Sequence, residues 1–163
     1  MTLLPISVFP NSLTEPFEKT SEQTDDYNCI AWAYGINNKK LWPNALGYDW
    51  PRDVPNVPKL ESFIILFEKI GFKKCKNGCL KIGYDKIAIY CDIKGEPKHA
   101  SKQLSDGKWS SKLGRMEDVS HTVFSMSDGF YGNITTYMER RKEKYYLYFL
   151  KYFYDSYLKK YFK

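Results

Sequence analysis

No run of eighteen or more apolar residues occurs in this 163-residue chain, so no segment is long enough to cross a bilayer as a helix. The opening MTLLPISVFPNS has neither a basic stretch nor an apolar core of the length a secretory signal needs. A cytoplasmic protein is expected, or one exported by a route that leaves no N-terminal mark. Histidine is scarce: only His99 and His121 are present, so any chemistry that needs an imidazole must draw on these two. The cysteines are Cys29, Cys75, Cys79 and Cys91. Without an export signal a reducing compartment is the better expectation, which argues against a disulfide framework. Cys75 and Cys79 bracket KNG, but no second Cys/His pair follows to complete the four ligands of a structural zinc site. Neither a metal nor another cofactor is expected.

What is present fits one folded domain. Hydrophobic residues make up 43% and charged residues 27%, which excludes wholesale disorder. The net charge of +6 suggests a nucleic-acid binder until it is located. Residues 139–163 carry eight Lys/Arg and three Asp/Glu, so the body of the chain is nearly neutral. The chain divides accordingly into a domain over 1–138 and a basic, aromatic C-terminal helix over 139–163. Residues 145–162 interleave seven tyrosines and three phenylalanines with Lys151, Lys159 and Lys160, a composition that can stack on bases or rest on an anionic membrane. However, Leu147, Leu150, Tyr154, Tyr157, Leu158 and Tyr161 recur at helical spacing, as expected of a helix packed on the domain or on a twin subunit. That reading is preferred, and nucleic acid is not expected as a partner.

Along the chain, residues 1–24 read as irregular. A helix is expected from Asn28 to Tyr34, stopped by Gly35. The loop NKKLWPNALGYDWPRDVPNVPK follows, with four prolines and two tryptophans, long enough to suggest a functional role. A second helix is expected over Leu60–Ile70. The period then changes to that of strands in FKKC, CLKIG and DKIAIYCD, and PKHASKQL with WSSKLG forms a hairpin about Asp106-Gly107. EDVSHTVFSM reads as a third, short helix. Helices, then an antiparallel sheet, then helices make an α+β order.

Cys29 falls at the first turn of the first helix. There the dipole and the unpaired backbone N–H groups favour a thiolate and can hold an oxyanion. A reactive thiol needs a base, and His99 sits near the start of a strand among polar neighbours. A cysteine that opens an N-terminal helix in YNCIAWA, followed by an antiparallel sheet with KIAIY…PKHA, resembles the papain-like thiol hydrolase superfamily and its compact bacterial cell-wall amidase and endopeptidase branch. The likeness spans about Gln23 to His121. The same two segments with DGKWSSKLG also resemble uncharacterised bacterial domains.

The resemblance implies a papain-like α+β fold with the Cys29 helix on an antiparallel sheet, and cleavage of an amide, peptide or related acyl bond through a Cys29 thioester with His99 as base. It implies an oxyanion donor at Gln23, six residues before the nucleophile, with Asn28 or Tyr27 as alternatives. Transfer or deamidation would use the same pair, and a catalytically silent binding module is the competing reading. A two-residue turn at Asp106-Gly107 pairs His99 with Gly114, so the third catalytic member is sought just beyond it. Asp118 is the first choice, with Glu117 and His121 as alternatives. Ser101, Lys112 and Trp109 on the hairpin, with Trp42 and Trp50 in the long loop, are candidates for lining a substrate groove.

Overall fold

The helix expected at the cysteine forms over Cys29–Tyr34 (α1). Asn28 caps it: its Oδ1 accepts the N–H groups of Ala31 at 3.1 Å and of Leu41 at 3.0 Å, and its Nδ2 donates to the Leu41 carbonyl at 2.8 Å. The same amide therefore ties the long loop to the start of the helix. Gly35 ends α1 with φ 96°, a left-handed conformation that suits glycine, and Ile36 N–H returns to the Ala31 carbonyl at 2.8 Å. The computed structural model describes residues 8–143. The helix expected within residues 139–163, and any subunit contact through it, falls largely outside the described residues.

A second helix covers Leu60–Glu68 (α2). The rest of the regular structure is extended: β1 (Glu18–Lys19), β2 (Lys73–Cys75), β3 (Tyr84–Cys91), β4 (Pro97–Gln103), β5 (Trp109–Lys112), β6 (Asp118–His121) and β7 (Asn133–Arg141). They form one seven-stranded sheet in the order β1-β6-β5-β4-β3-β7-β2, antiparallel at every pairing. The expected α+β papain-like architecture is thereby corrected. The described residues make a small β-rich fold with two short α-helices, and its regular structure is mostly a single sheet.

One source of the discrepancy is the segment EDVSHTVFSM, expected as a helix. Its Asp118–His121 part is β6, held between β5 and β1 through Ser110↔Ser120 and Glu18↔Ser120. Tertiary pairing on both sides outweighs local preference here.

β3 lies near the middle of the sheet, and its last six residues are all buried. Ile87 and Ile89, with Ala100 and Met138, pack against Ile30 and Ala31 of α1 and against Phe63, Leu66 and Phe67 of α2. Ala88 and Tyr90, with Trp109, Leu113 and Val119, face the other way, where Phe9 and Met126 cover them. A strand covered on both faces reads as a continuous apolar run, which is what IAIYC is. Each large side chain so buried contributes about 1.5–3 kcal/mol. Among the described residues no helix is long and apolar enough to cross a membrane.

The backbone comes close to itself where β7 begins. Gly132 has φ 73°, and a Cβ there would lie 2.0 Å from the Cys91 carbonyl oxygen. Gly47 has a similar φ of 78° with open space around it. Gly47→Ala should therefore cost only the backbone strain, about 1 kcal/mol, whereas Gly132→Ala should cost on the order of 3 kcal/mol. Urea unfolding of the two variants checks this, and equal losses would contradict the close approach at Gly132.

Candidate active site around Cys29 and His99

The Cys29 thiol sits at the N-terminal end of α1, 7% exposed. Burial pushes its pKa up to about 11, while the backbone N–H groups of Ala100, Ile30 and Cys29 itself pull it the other way. Ala100 directly follows His99 in β4, so the fold brings the sulfur to the strand that carries the histidine, with Cys29 and Ala100 on its α1 side and the His99 side chain on the other. Room for it comes from the sheet: β4 pairs with β5 over Lys102↔Ser110 and Gln103↔Trp109, which leaves the earlier part of β4 open on that side.

His99 is fully buried. Its strand partner Tyr90 meets it edge-on at 5.5 Å, and Tyr131 lies flat on it with centroids 4.0 Å apart and planes within 10°. Burial, and secondarily the charge that Cys29 would carry, raises the Tyr131 phenol above its usual range. His99 Nε2 is 2.8 Å from Ser111 Oγ, Ser111 Oγ is 2.8 Å from His121 Nε2, and His121 Nδ1 is 2.6 Å from the Thr122 carbonyl oxygen. His99 Nδ1 is buried with no hydrogen-bond partner. Burial first, then the charge His121 would carry, holds His99 well below its usual pKa. Burial lowers His121 to about 4, against a smaller opposing effect of the Thr122 carbonyl.

The other expected site residues are placed differently. Asp118 pairs with Lys112 and shares the α1 side of the sheet, away from His99; its Oδ2 accepts the Tyr27 hydroxyl at 2.6 Å. It therefore does not orient the imidazole. Gln23 Nε2 reaches Glu117 Oε2 at 3.5 Å, and Asn28 spends its amide on Ala31 and Leu41. Lys112 is not a solvated cation. It is fully buried, bonds the Met116 carbonyl and lies 5.2 Å from the Tyr27 ring centroid; burial lowers its pKa against the pull of Asp118. Ser101 is fully buried, and Trp109 is core, beside Tyr137 at 6.0 Å. Trp42 and Trp50 set their edges against Phe63 at 5.2 and 5.4 Å. They also border a shallow surface pocket of about 500 Å³ with Asn44, Tyr48 and Asn56.

Ser111 and Tyr131 were not legible as site residues. Ser111 would have been found by pairing the hairpin one residue differently; no local signal marks Tyr131. Among the described residues no group of three or more His, Cys, Asp and Glu side chains could hold a metal ion.

A family model described as "Domain of unknown function (DUF7689)" matches residues 18–139, and the chain belongs to that family. The match spans α1 and all seven strands except the end of β7. No curated protein and no solved structure matches the chain.

Both histidines have folded pKa values below the unfolded value near 6.5, so the unfolded chain binds more protons once the pH falls under that value. Their contribution to stability is complete above about pH 6.5 and declines as the pH drops, the His121 part between about 6.5 and about 4. For His121 this is on the order of 3 kcal/mol. Unfolding midpoints followed from about pH 7 down to about pH 4 should fall steadily, and His121→Gln should flatten the decline. A midpoint that stays level through that window in the wild type would contradict two neutral buried imidazoles.

Proposed function

We propose that this member of the DUF7689 family is a thiol-dependent hydrolase that cleaves an amide, peptide or related acyl bond, with Cys29 as nucleophile and His99 as base. One observation carries this reading. The Cys29 sulfur approaches the Ala100 N–H where β4 is unpaired with β5, and the residue before Ala100 in the chain is His99, whose Nδ1 is bare and whose Nε2 is already held. Burial favours the uncharged form of each group, so the pair rests as thiol and neutral imidazole. The thiolate then forms only as its proton passes to His99, which is general-base rather than ion-pair chemistry.

The sulfur attacks the acyl carbon, and the oxygen takes up negative charge beside the backbone N–H groups at the start of α1. The leaving amine departs with the proton held by His99, and a thioester remains on Cys29. Water then attacks the thioester. His99 takes its proton and returns it to the sulfur, which releases the acid and restores the resting pair. A peptide or other amide fits this sequence, and transfer to another acceptor or deamidation of a side chain differs only in what enters or leaves. Four unpaired cysteines support a reducing, cytoplasmic setting, where a free thiol persists. A second reading, a module that binds a partner without catalysis, is favoured by the burial of both groups.

Small activated esters separate the two. p-Nitrophenyl acetate should acylate Cys29 ahead of Cys75, Cys79 and Cys91, as located by peptide mass spectrometry. Cys29→Ala should abolish the burst of p-nitrophenol, and His99→Gln should slow acylation by about a hundredfold or more. Acetyl groups confined to the more exposed Cys75 and Cys79 would leave the binding module in front.

A further inference from the structure

The buried chain from His99 to Thr122 admits only one order of hydrogen bonds when both rings are neutral. The Thr122 carbonyl can only accept, so the proton of the His121 ring is on Nδ1. His121 Nε2 is then bare and must accept, and the nearest donor is the Ser111 hydroxyl. That uses the single Ser111 proton. The Ser111 oxygen can now only accept from His99, which places the His99 proton on Nε2 and leaves Nδ1 a free lone pair.

The ring cannot easily turn out of this arrangement, because Tyr131 covers its face at 4.0 Å and Tyr90 meets it at 5.5 Å. We infer that Ser111 and His121 are positioning residues that hold His99 in the Nε2–H tautomer with Nδ1 free to take the Cys29 proton. They fill the place where a carboxylate was expected. This inference rests on the thiol reading above for its use, but not for its geometry.

The arrangement suits its surroundings. An ionised carboxylate beside His99 would have to lie among Tyr90, Trp109, Val119 and Met126, where burying an unpaired charge is costly. A hydroxyl and a neutral imidazole do the same orienting without a charge. Ser101 and Gln103 share the face on β4, yet neither bonds the His99 ring; Gln103 Nε2 is engaged by the Gly78 carbonyl at 2.8 Å.

Because the chain has only two histidines, long-range proton–nitrogen spectra of ¹⁵N-labelled wild-type protein resolve both rings, and His121→Gln assigns them. His99 should be protonated on Nε2 and His121 on Nδ1. His99 protonated on Nδ1 overturns the inference. In Ser111→Ala the His99 ring should populate both tautomers and Cys29 acetylation should fall about a hundredfold, and Ser111→Thr should restore both. A Ser111→Ala protein with the wild-type tautomer and wild-type acetylation overturns it, as does a folded Ser111→Thr that restores neither. If wild-type Cys29 takes no acetyl group, the thiol reading fails separately, while the ring spectra still decide the hydrogen-bond order.

Discussion

The length of one turn controls which side chains can meet His99. Between β4 and β5, Leu104 N–H bonds the Lys108 carbonyl at 2.8 Å and Gly107 N–H returns to the Leu104 carbonyl at 3.2 Å. The loop is therefore Ser105, Asp106 and Gly107, with Gly107 at φ 89°, not the two-residue turn that Asp106-Gly107 suggests. Side chains alternate with a period of two, so a shift of one residue in pairing sends every side chain of β5 to the opposite face. With this register Ser111 lies beneath His99, and Ser110 and Lys112 look toward α1. With the other, Lys112 would have been turned toward the imidazole and the relay to His121 could not exist.

The same register sorts the buried polar groups onto two sides of the sheet. On the α1 side Tyr27 donates to Asp118 Oδ2 at 2.6 Å, Lys112 bonds the Met116 carbonyl, Trp32 Nε1 donates to Ser110 Oγ at 3.1 Å, and Lys102 lies over the Trp32 ring at 3.2 Å. On the other side the polar groups next to His99 are uncharged and linked in series from His99 to Thr122, and the buried Lys86, farther along β3, pairs with Glu139 at 3.5 Å. Among the described residues three buried side-chain atoms have no partner: His99 Nδ1, Ser101 Oγ and Asp118 Oδ1. Each such atom costs about 1–3 kcal/mol when nothing replaces its bond to water. For His99 Nδ1 the thiol chemistry proposed above would draw on that open site, since a nitrogen already occupied could not take a proton from Cys29.

Parts of this were legible before the fold was known. The start and stop of α1 follow from Asn28 and Gly35, whose roles are local to the backbone around them. β3 is readable because residues buried on both faces leave an apolar run with no polar interruption. Cys29 and His99 stand out because a helix-start thiol and one of two imidazoles are rare features. Asp118 was misassigned because the turn length was read from the Asp-Gly pair alone, and β6 was missed because its strand state depends on neighbours on both sides. Trp42, Trp50 and Trp109 could serve a groove or a core equally well by composition. Phe63 and Tyr137, remote in sequence, put all three against packed aromatic neighbours.

The letters of the chain determined its local instructions: where one helix begins and ends, which strand is buried on both faces, and where its few imidazoles and thiols fall along the chain. These depend on capping, backbone freedom at glycine and side-chain polarity within a few residues. Only the tertiary structure decided which of those side chains share a face, because pairing register is settled by the packing of the whole sheet, and a single residue's offset exchanges inside for outside along an entire strand.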